Sequence, residues 1–492
     1  MGASKLRDRA ISAAAWSLAR AGGDQILRFG VFVYLARTLE PAHFGIFALA
    51  TIFIDYAKIV ANAGLSEAIV QGDEPDDELL DTIFWALMSL TVIVAGVTAA
   101  LSPIFSSLAR VPEAQPFMVA LAGTMLLGPL AAIHSSLGVR NFKNRSLTTR
   151  SMAASIGGAA AAVVGAYNGL GIWSLFLQSL VTGLLSVMLT WAMFPWRPGF
   201  RFSWRRLRDL WAFSGHMFLT RVLQTSVGRV QDLIAARFLG PAMLGQFRIG
   251  GRVFDLMNSA LIAPLSSTAF PTLSRLQGEP KRFENAYCRM IALSALVAIP
   301  AAFGFAAIAR DLVPLVFGPK WEQSIGVMHM LALLAPAQVL AWFSGPTLAA
   351  KGRPDVSSKL TSMQLVGTTV FSLLAVRYGI VALAGAYVAR SYLTLPIQLK
   401  MLETATGITR KSVVATILPP LLCAAAMVGG VLLAHELLVS WAPVPRVAAL
   451  TMIGGGIYVG TLAIFFRRYA DVHVWSLVRE RFRPRRYAGA AE

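Results

Sequence analysis

Eleven charged side chains lie within stretches of sequence that are otherwise apolar enough to cross a membrane. They are Arg20, Asp24, Arg28, Asp55, Lys58, Arg221, Arg229, Asp232, Arg248, Arg252 and Asp255. A charge at the centre of a bilayer costs about 2.5–3.5 kcal/mol on insertion scales. We therefore expect these residues to face a bundle interior or a water-filled cavity. Seven cations against four carboxylates leave an excess of three positive charges.

Helical spacing places most of these charges on shared faces. Arg20, Asp24 and Arg28 follow one another at intervals of four residues, which puts them on one side of a helix. Two further faces are formed by Asp55, Lys58 and Asn62, and by Arg248, Arg252, Asp255 and Ser259. On a fourth helix Arg221 and Asp232 align, with Arg229 to one side. An eighth intramembrane cation, Arg390, lies apart from these four helices.

The charges have two interpretations, which the spacing leaves open. In the first they form internal ion pairs: Asp24 with Arg20 or Arg28, Asp55 with Lys58, and Asp255 with Arg252. In the second the excess cations bind an anionic substrate such as a pyrophosphate, because the planar fork of arginine can bond phosphate oxygens in pairs. Candidates for carrying a coupling proton or sodium ion are Asp24, Asp55, Asp232 and Asp255. The sequence indicates no catalytic residue, no metal site and no cofactor.

The composition indicates an all-α membrane protein that crosses the bilayer many times. Hydrophobic residues make up 56% of the 492 residues, and charged residues only 14%. Soluble domains have about 25% charged residues, so this chain has too little polar surface to cover itself in water. Apolar stretches of about 20 residues, enough to span a bilayer, predict about fourteen helices. They lie near 10–36, 43–70, 80–108, 115–139, 149–168, 171–195, 210–238, 242–273, 284–309, 322–350, 356–376, 379–400, 412–435 and 446–466.

Basic residues are distributed unevenly between the predicted loops. With the N-terminus in the cytoplasm, the inside segments carry 29 of the 44 Lys and Arg residues and the outside loops carry 7. The positive-inside rule then predicts that both termini are cytoplasmic. The net charge of +19 is explained by this topology and gives no reason to expect nucleic acid as a partner. One inside loop, 72–81, is acidic instead.

A segment of the chain occurs twice, 200 positions apart. Residues 35–47 and 235–247 share, among others, Arg37/Arg237, Pro41/Pro241, Gly45/Gly245 and Phe47/Phe247. An ordered Arg, Pro, Gly and Phe at one offset predicts a duplicated helix–turn–helix. With the spans, it divides the chain into five parts, 1–197, 198–209, 210–402, 403–467 and 468–492, of which 198–209 is a basic cytoplasmic linker and 468–492 a basic cytoplasmic tail.

Several short motifs resemble those of bacterial polysaccharide exporters. Residues 35–45 resemble the turn that ends their first helix, and 62–71 resemble the end of their second helix. In the second half the similar segments are 238–245, 270–275, 318–321 and 351–355. The chain resembles the Wzx-like flippases of lipid-linked oligosaccharides, a branch of the multidrug/oligosaccharidyl-lipid/polysaccharide exporter superfamily.

The resemblance implies two pseudo-symmetric six-helix lobes, two extra C-terminal helices and a central cavity that opens alternately to each side. It implies a transporter of undecaprenyl-pyrophosphate-linked glycans in the bacterial inner membrane, which supplies a polysaccharide polymerase or export partner. We expect a monomer. Three alternatives remain: a flippase for the peptidoglycan precursor, a multidrug antiporter, which would show an acidic cavity, and a membrane enzyme acting on lipid-linked sugars, which would show a large outside loop.

Overall fold

The computed structural model describes residues 28–62, 65, 69, 75–141, 144–257 and 263–470, and within these ranges the regular structure is helical with no β-strand. The chain divides into two compact units. The first contains Met1–Arg248 with Ser372–Ile380, and the second contains Ile249–Phe371 with Val381–Glu492. Arg20, Asp24, Ser259 and the basic tail beyond 470 lie outside the described residues.

The helices are numbered here in chain order. The first eight are α1 (28–38), α2 (Pro41–Asn62), α3 (Asp77–Ala109), α4 (Ala114–Thr124), α5 (Leu127–Arg140), α6 (Asn144–Tyr167), α7 (Trp173–Met193) and α8 (Trp204–Met257). The remaining ten are α9 (Ala263–Ser274), α10 (Pro280–Ala307), α11 (Ala309–Val316), α12 (Ser324–Ala332), α13 (Ala335–Ala350), α14 (Pro354–Ala375), α15 (Ile380–Thr406), α16 (Arg410–Leu437), α17 (Pro443–Phe465) and α18 (Arg467–Ala470).

The predicted polytopic, all-helical membrane protein is confirmed. Eight of the described helices are long and apolar enough to cross a bilayer, and two bent helix pairs raise that number to ten. The count of fourteen spans and the boundaries of the two lobes stay predictions.

Two spans predicted as single helices are each broken in two. Residues 115–139 form α4 and α5, which meet at 42°, and 322–350 form α12 and α13, which meet at 62°. A proline stands near the start of the second helix in both pairs, Pro129 in α5 and Pro336 in α13. Proline has no N–H to donate to the preceding turn and its ring crowds the carbonyl four residues earlier. The apolar pattern gives no sign of either break, because apolar residues continue across both of them.

The predicted turn between the helices at 210–238 and 242–273 is present as a break inside α8. Gly240 has φ 84° and ψ 173°, a backbone conformation that glycine adopts without steric cost. Pro241 follows it and begins the next helical segment, as proline does at first helical positions.

Residues of the acidic loop (72–81) contact the basic linker (198–209) within the first unit. The Asp81 carboxylate accepts a hydrogen bond from the Gly199 N–H at 2.8 Å, and the Trp85 indole donates to the Gly199 carbonyl at 2.7 Å. Arg206 forms an ion pair with Asp76, and this guanidinium holds the pKa of the Asp76 carboxyl below its usual value. The two segments therefore lie on the same side of the membrane, as the topology requires.

The second unit has its largest core around α10. Phe283, Tyr287, Ile291 and Ile299 lie along this helix with at most 1% of their surface exposed. Residues of α13 and α16 complete the cluster. Burial of apolar surface of this kind stabilises the packing of α10 against its neighbours.

The two copies of the repeated turn are in direct contact. A Cβ atom placed on Gly45 would lie 1.7 Å from the Pro241 carbonyl oxygen, and one placed on Gly245 would lie 2.0 Å from the Pro41 carbonyl oxygen. Each glycine of one copy thus faces the proline of the other. Only a residue without a side chain fits at either place, as at other close helix crossings in membrane proteins.

This contact predicts a steric penalty at Gly45. Gly45→Ala is expected to lower the thermal unfolding temperature of the purified protein, because overpacking costs about 1–3 kcal/mol or more and the atom in the way is backbone. The matched control is Gly30→Ala in α1, where a Cβ meets nothing within 4 Å. An unchanged unfolding temperature in Gly45→Ala would contradict the contact.

Candidate functional site

An ion pair joins the second and eighth helices in the first unit. The Arg229 guanidinium lies 2.6 Å from an Asp55 carboxylate oxygen, and the neighbouring Tyr56 hydroxyl bonds the Ser226 hydroxyl at 2.9 Å. Both charged side chains are partly exposed, at 27% and 35%. The predicted pairing of Asp55 with Lys58 is wrong. Arg229, about two turns along α8 from the exposed Arg221, reaches Asp55 instead because α8 packs across α2.

A second carboxylate lies almost fully buried between two arginines of α8. Asp232 has 4% of its side chain exposed; one of its oxygens lies 2.8 Å from the Arg248 guanidinium and 3.9 Å from that of Arg229. The break at Gly240 allows this arrangement, because it brings Arg248 back beside a residue sixteen positions earlier. Arg229 therefore links Asp55 and Asp232, and these four residues form one charged cluster.

Lys58 lies at the edge of a cavity beside this cluster. The cavity has a volume of about 200 Å³ and its polar lining comes from Lys58, Asn62 and Thr91. The remaining lining residues are Ala61, Leu87, Met125, Gly128, Pro129 and Ala132. The break between α4 and α5 falls at Met125, so the bent span creates this space. Lys58 is exposed, and among the described residues its ammonium group forms no ion pair.

The other predicted site residues are placed as follows. Arg28 is exposed and donates to the Ser155 hydroxyl of α6 at 2.6 Å. Arg221 is exposed, near the middle of the part of α8 that precedes Gly240. Arg252 and Asp255 belong to the second unit, and their roles stay predictions. The structure thus brings together Asp55, Lys58, Arg229, Asp232 and Arg248, with more positive than negative charge.

The second unit contains a second charged cluster, which was not predicted from the sequence. Asp311 of α11 is buried and forms an ion pair with Arg446 of α17, and its other carboxylate oxygen lies 3.1 Å from the Nε2 atom of His435 at the end of α16. Arg446 also donates to the Val439 carbonyl at 2.9 Å. These contacts attach the two additional C-terminal helices to α11. The sequence signal is weak because Asp311 follows Arg310 in a segment that resembles an ordinary loop.

The arrangement at Lys58 has the chemistry of an anion-binding site. Its cavity is smaller than the 300–1,000 Å³ of pockets that enclose whole small-molecule ligands, so it can hold a charged head group but not a large glycan. Among the described residues no three His, Cys, Asp or Glu side chains are grouped as metal ligands. Asp55 and Asp232 are paired with Arg229 and Arg248, and Lys58 is an additional cation.

Comparison with known families identifies the group to which this chain belongs. The family described as "Polysaccharide biosynthesis protein" matches residues 34–326, which include both copies of the turn and the whole charged cluster. The chain belongs to this family. The predicted resemblance to the polysaccharide exporters is confirmed.

Two relatives of the family are named for transport or for polysaccharide synthesis. The chain is 27% identical over 319 residues to the succinoglycan biosynthesis transport protein ExoT of Rhizobium meliloti (strain 1021), a match covering 65% of this chain and 64% of the relative. It is 22% identical over 360 residues to the lipopolysaccharide biosynthesis protein WzxC of Escherichia coli (strain K12), covering 72% of each. The chain thus spans just under two thirds of the length of ExoT.

A solved structure shows the same fold. The lipid II flippase MurJ, in an inward closed conformation, superimposes with a TM-score of 0.74 at 11% identity, over 92% of this chain and 98% of that one. Of the two relatives, ExoT is named as a transport protein, which agrees with the predicted transporter class; the similarity to MurJ concerns the fold.

The ion pair between α2 and α8 can be tested by a double-mutant cycle. Asp55→Asn and Arg229→Gln are each expected to lower the unfolding temperature. The decrease in the double variant should be smaller than the sum of the two single decreases. Contacting charged residues usually couple by about 0.5–3 kcal/mol. In a parallel cycle of Asp55→Asn with Lys58→Met the effects should add, because Lys58 does not pair with Asp55. Additive losses in the first cycle would contradict the assignment.

Proposed function

We propose that this protein moves undecaprenyl-pyrophosphate-linked oligosaccharide repeat units from the inner to the outer leaflet of the cytoplasmic membrane. The observation that carries the proposal is Lys58, an intramembrane cation without an ion-pair partner among the described residues, at the edge of a cavity of about 200 Å³. A pyrophosphate supplies the missing negative charge and is small enough for this space. Membership of the polysaccharide biosynthesis family supports the class of substrate.

The charged cluster gives the pyrophosphate a place to bind without an unpaired carboxylate nearby. Arg229 and Arg248 neutralise Asp55 and Asp232, so neither carboxylate stands as an isolated negative charge that would repel a phosphate. Lys58 attracts the substrate, and the exposed Arg28 and Arg221 extend the positive surface. Arg20 and Arg252 belong to the same proposed binding set.

In the proposed transport step the protein alternates between inward-open and outward-open states. The pyrophosphate binds the cations, the glycan occupies a wet cavity, and the lipid tail stays in the bilayer. Inverted or parallel repeats of transporters rock against each other around such a fixed site. Opening toward the outer side then requires the repeated turns to separate at Gly45 and Gly245, where they now touch.

We also propose that a proton or sodium gradient drives transport. The candidates for the carboxylate that takes up the cation are Asp24, Asp55, Asp232 and Asp255. A carboxylate inside a membrane is retained at a substantial energetic cost, which supports a function for at least one of them. Flipping by Asp→Asn variants with and without an imposed gradient identifies which residue couples.

Flipping in proteoliposomes tests the substrate and the role of Lys58. The substrate is an undecaprenyl-pyrophosphate oligosaccharide, and the readout is the fraction of glycan that becomes accessible to a membrane-impermeant glycosidase. Lys58→Met is expected to slow flipping about tenfold or more, because a hydrogen bond to a charged group contributes about 1.5–3 kcal/mol. Its unfolding temperature should be unchanged. Lys58→Arg should retain most of the rate.

The control for this experiment is Lys281→Met, at an exposed position at the start of α10. It removes the same charge and is expected to leave flipping unchanged. Normal flipping by Lys58→Met would refute the role of the cavity. A preference for a peptide-bearing undecaprenyl-pyrophosphate disaccharide over an oligosaccharide repeat would favour the peptidoglycan-precursor alternative, and uptake of cationic drugs would favour the antiporter.

A further inference from the structure

A buried arginine in the second unit has no carboxylate to balance its charge. Arg390, in the middle of α15, has only 4% of its surface exposed. Its guanidinium donates to the Ser391 hydroxyl at 2.9 Å and lies 4.8 Å from the centre of the Tyr387 ring. Its Nε atom is buried without a hydrogen-bond acceptor, and no described carboxylate lies within ion-pair distance. This arrangement differs from that of Arg229 and Arg248, which both face an aspartate.

A second buried donor without a partner lies on the helix that packs against Arg390. The Arg390 side chain lies across α14 at Gly367, where an added Cβ would be 3.0 Å from its Cγ atom. The next residue, Thr368, is 1% exposed, and its hydroxyl has no hydrogen-bond partner among the described residues. Gly367 and Thr368 are consecutive residues of α14, so the contact at Gly367 places the Arg390 side chain one residue along this helix from the unpaired hydroxyl.

The charge of Arg390 has to be compensated. Arginine does not lose its proton in proteins, so it cannot become neutral as a buried lysine or histidine can. Burying an unpaired charge costs far more than a cation–π contact and one neutral hydrogen bond return. The unsatisfied Nε–H of Arg390 can only donate, and the Thr368 hydroxyl, which can donate or accept, is able to donate to the same group. The positive charge of Arg390 and its free Nε–H together require an acceptor that carries negative charge.

We propose that Arg390 and Thr368 form a binding site for a small monovalent inorganic anion of the halide class. One guanidinium balances one negative charge, so a dianion such as sulfate would leave the site with an excess of negative charge. The burial of both residues favours an anion that is small and can leave its water behind. The site lies on α14 and α15 and uses none of the cations assigned to the pyrophosphate. It is independent of the proposed flippase function.

The first experiment measures thermal unfolding of the full-length detergent-solubilised protein while gluconate is replaced by chloride or bromide at constant ionic strength. A ligand that binds the folded state raises the unfolding temperature in a saturable way. We expect a rise of about 2 °C or more with chloride and bromide and none with sulfate. An unfolding temperature that does not differ between gluconate and halide would overturn the proposal.

The second experiment uses Arg390→Met, which keeps an unbranched side chain that can fill the inner part of the same space and removes the charge. This variant should lose the halide response. In gluconate it should unfold at the same temperature as the native protein or higher, because it no longer buries an unbalanced charge. Arg282→Met removes an exposed arginine that is paired with Glu279, and it should keep the halide response. A full halide response in Arg390→Met would place the anion elsewhere and refute this site.

Diffraction from crystals of the native protein grown in bromide gives a measurement that does not depend on how the variant folds. We expect an anomalous peak within hydrogen-bonding distance of the Arg390 Nε atom and the Thr368 hydroxyl. Crystals that show anomalous bromide peaks at other positions but none at Arg390 would overturn the proposal.

Discussion

The contact between the two copies of the repeated turn is a constraint on which the arrangement of the first unit depends. Gly45 faces the carbonyl of Pro241 and Gly245 faces that of Pro41, at distances that leave no room for a methyl group. Because α2 begins at one turn and α8 breaks at the other, the close approach of the turns determines where residues of α2 meet residues of α8. The Asp55–Arg229 pair and the Tyr56–Ser226 hydrogen bond are formed between the same two helices. A local steric requirement at the turns thus positions the charges inside the membrane.

The intramembrane charges illustrate how a membrane protein can retain charged side chains at tolerable energetic cost. Asp55 and Asp232 are neutralised by Arg229 and Arg248, which removes most of the penalty for keeping them in an apolar environment. Lys58 lies beside a cavity instead of against a carboxylate. The turn sequence is duplicated, but of the eleven intramembrane charges only Asp55 and Asp255 are related by the same offset. The duplication therefore concerns the scaffold, while the arrangement of the intramembrane charges is asymmetric.

Similarity to MurJ at 11% identity shows how little of the sequence the fold requires. The fold requires apolar helices of sufficient length, glycines at close crossings and prolines at breaks. Many sequences satisfy these requirements, because lipid-facing positions accept any apolar residue. The fold therefore leaves the polar residues inside the bundle free to differ between proteins of this architecture. Under the proposed function, Lys58, Arg229 and Asp232 are the residues of this kind that set the substrate.

The sequence by itself determined the all-helical membrane class, the duplicated turn, the family resemblance and the set of intramembrane charged residues. These follow from composition, hydrophobic length and motif order, which are local properties of the chain. The tertiary structure decided the partners. Asp55 pairs with Arg229 and not with Lys58, the predicted spans at 115–139 and 322–350 are broken, and Asp311 joins His435 and Arg446. Spacing along one helix shows which residues share a face. Which residue of another helix meets that face depends on packing between segments up to 174 positions apart, and no local pattern records it.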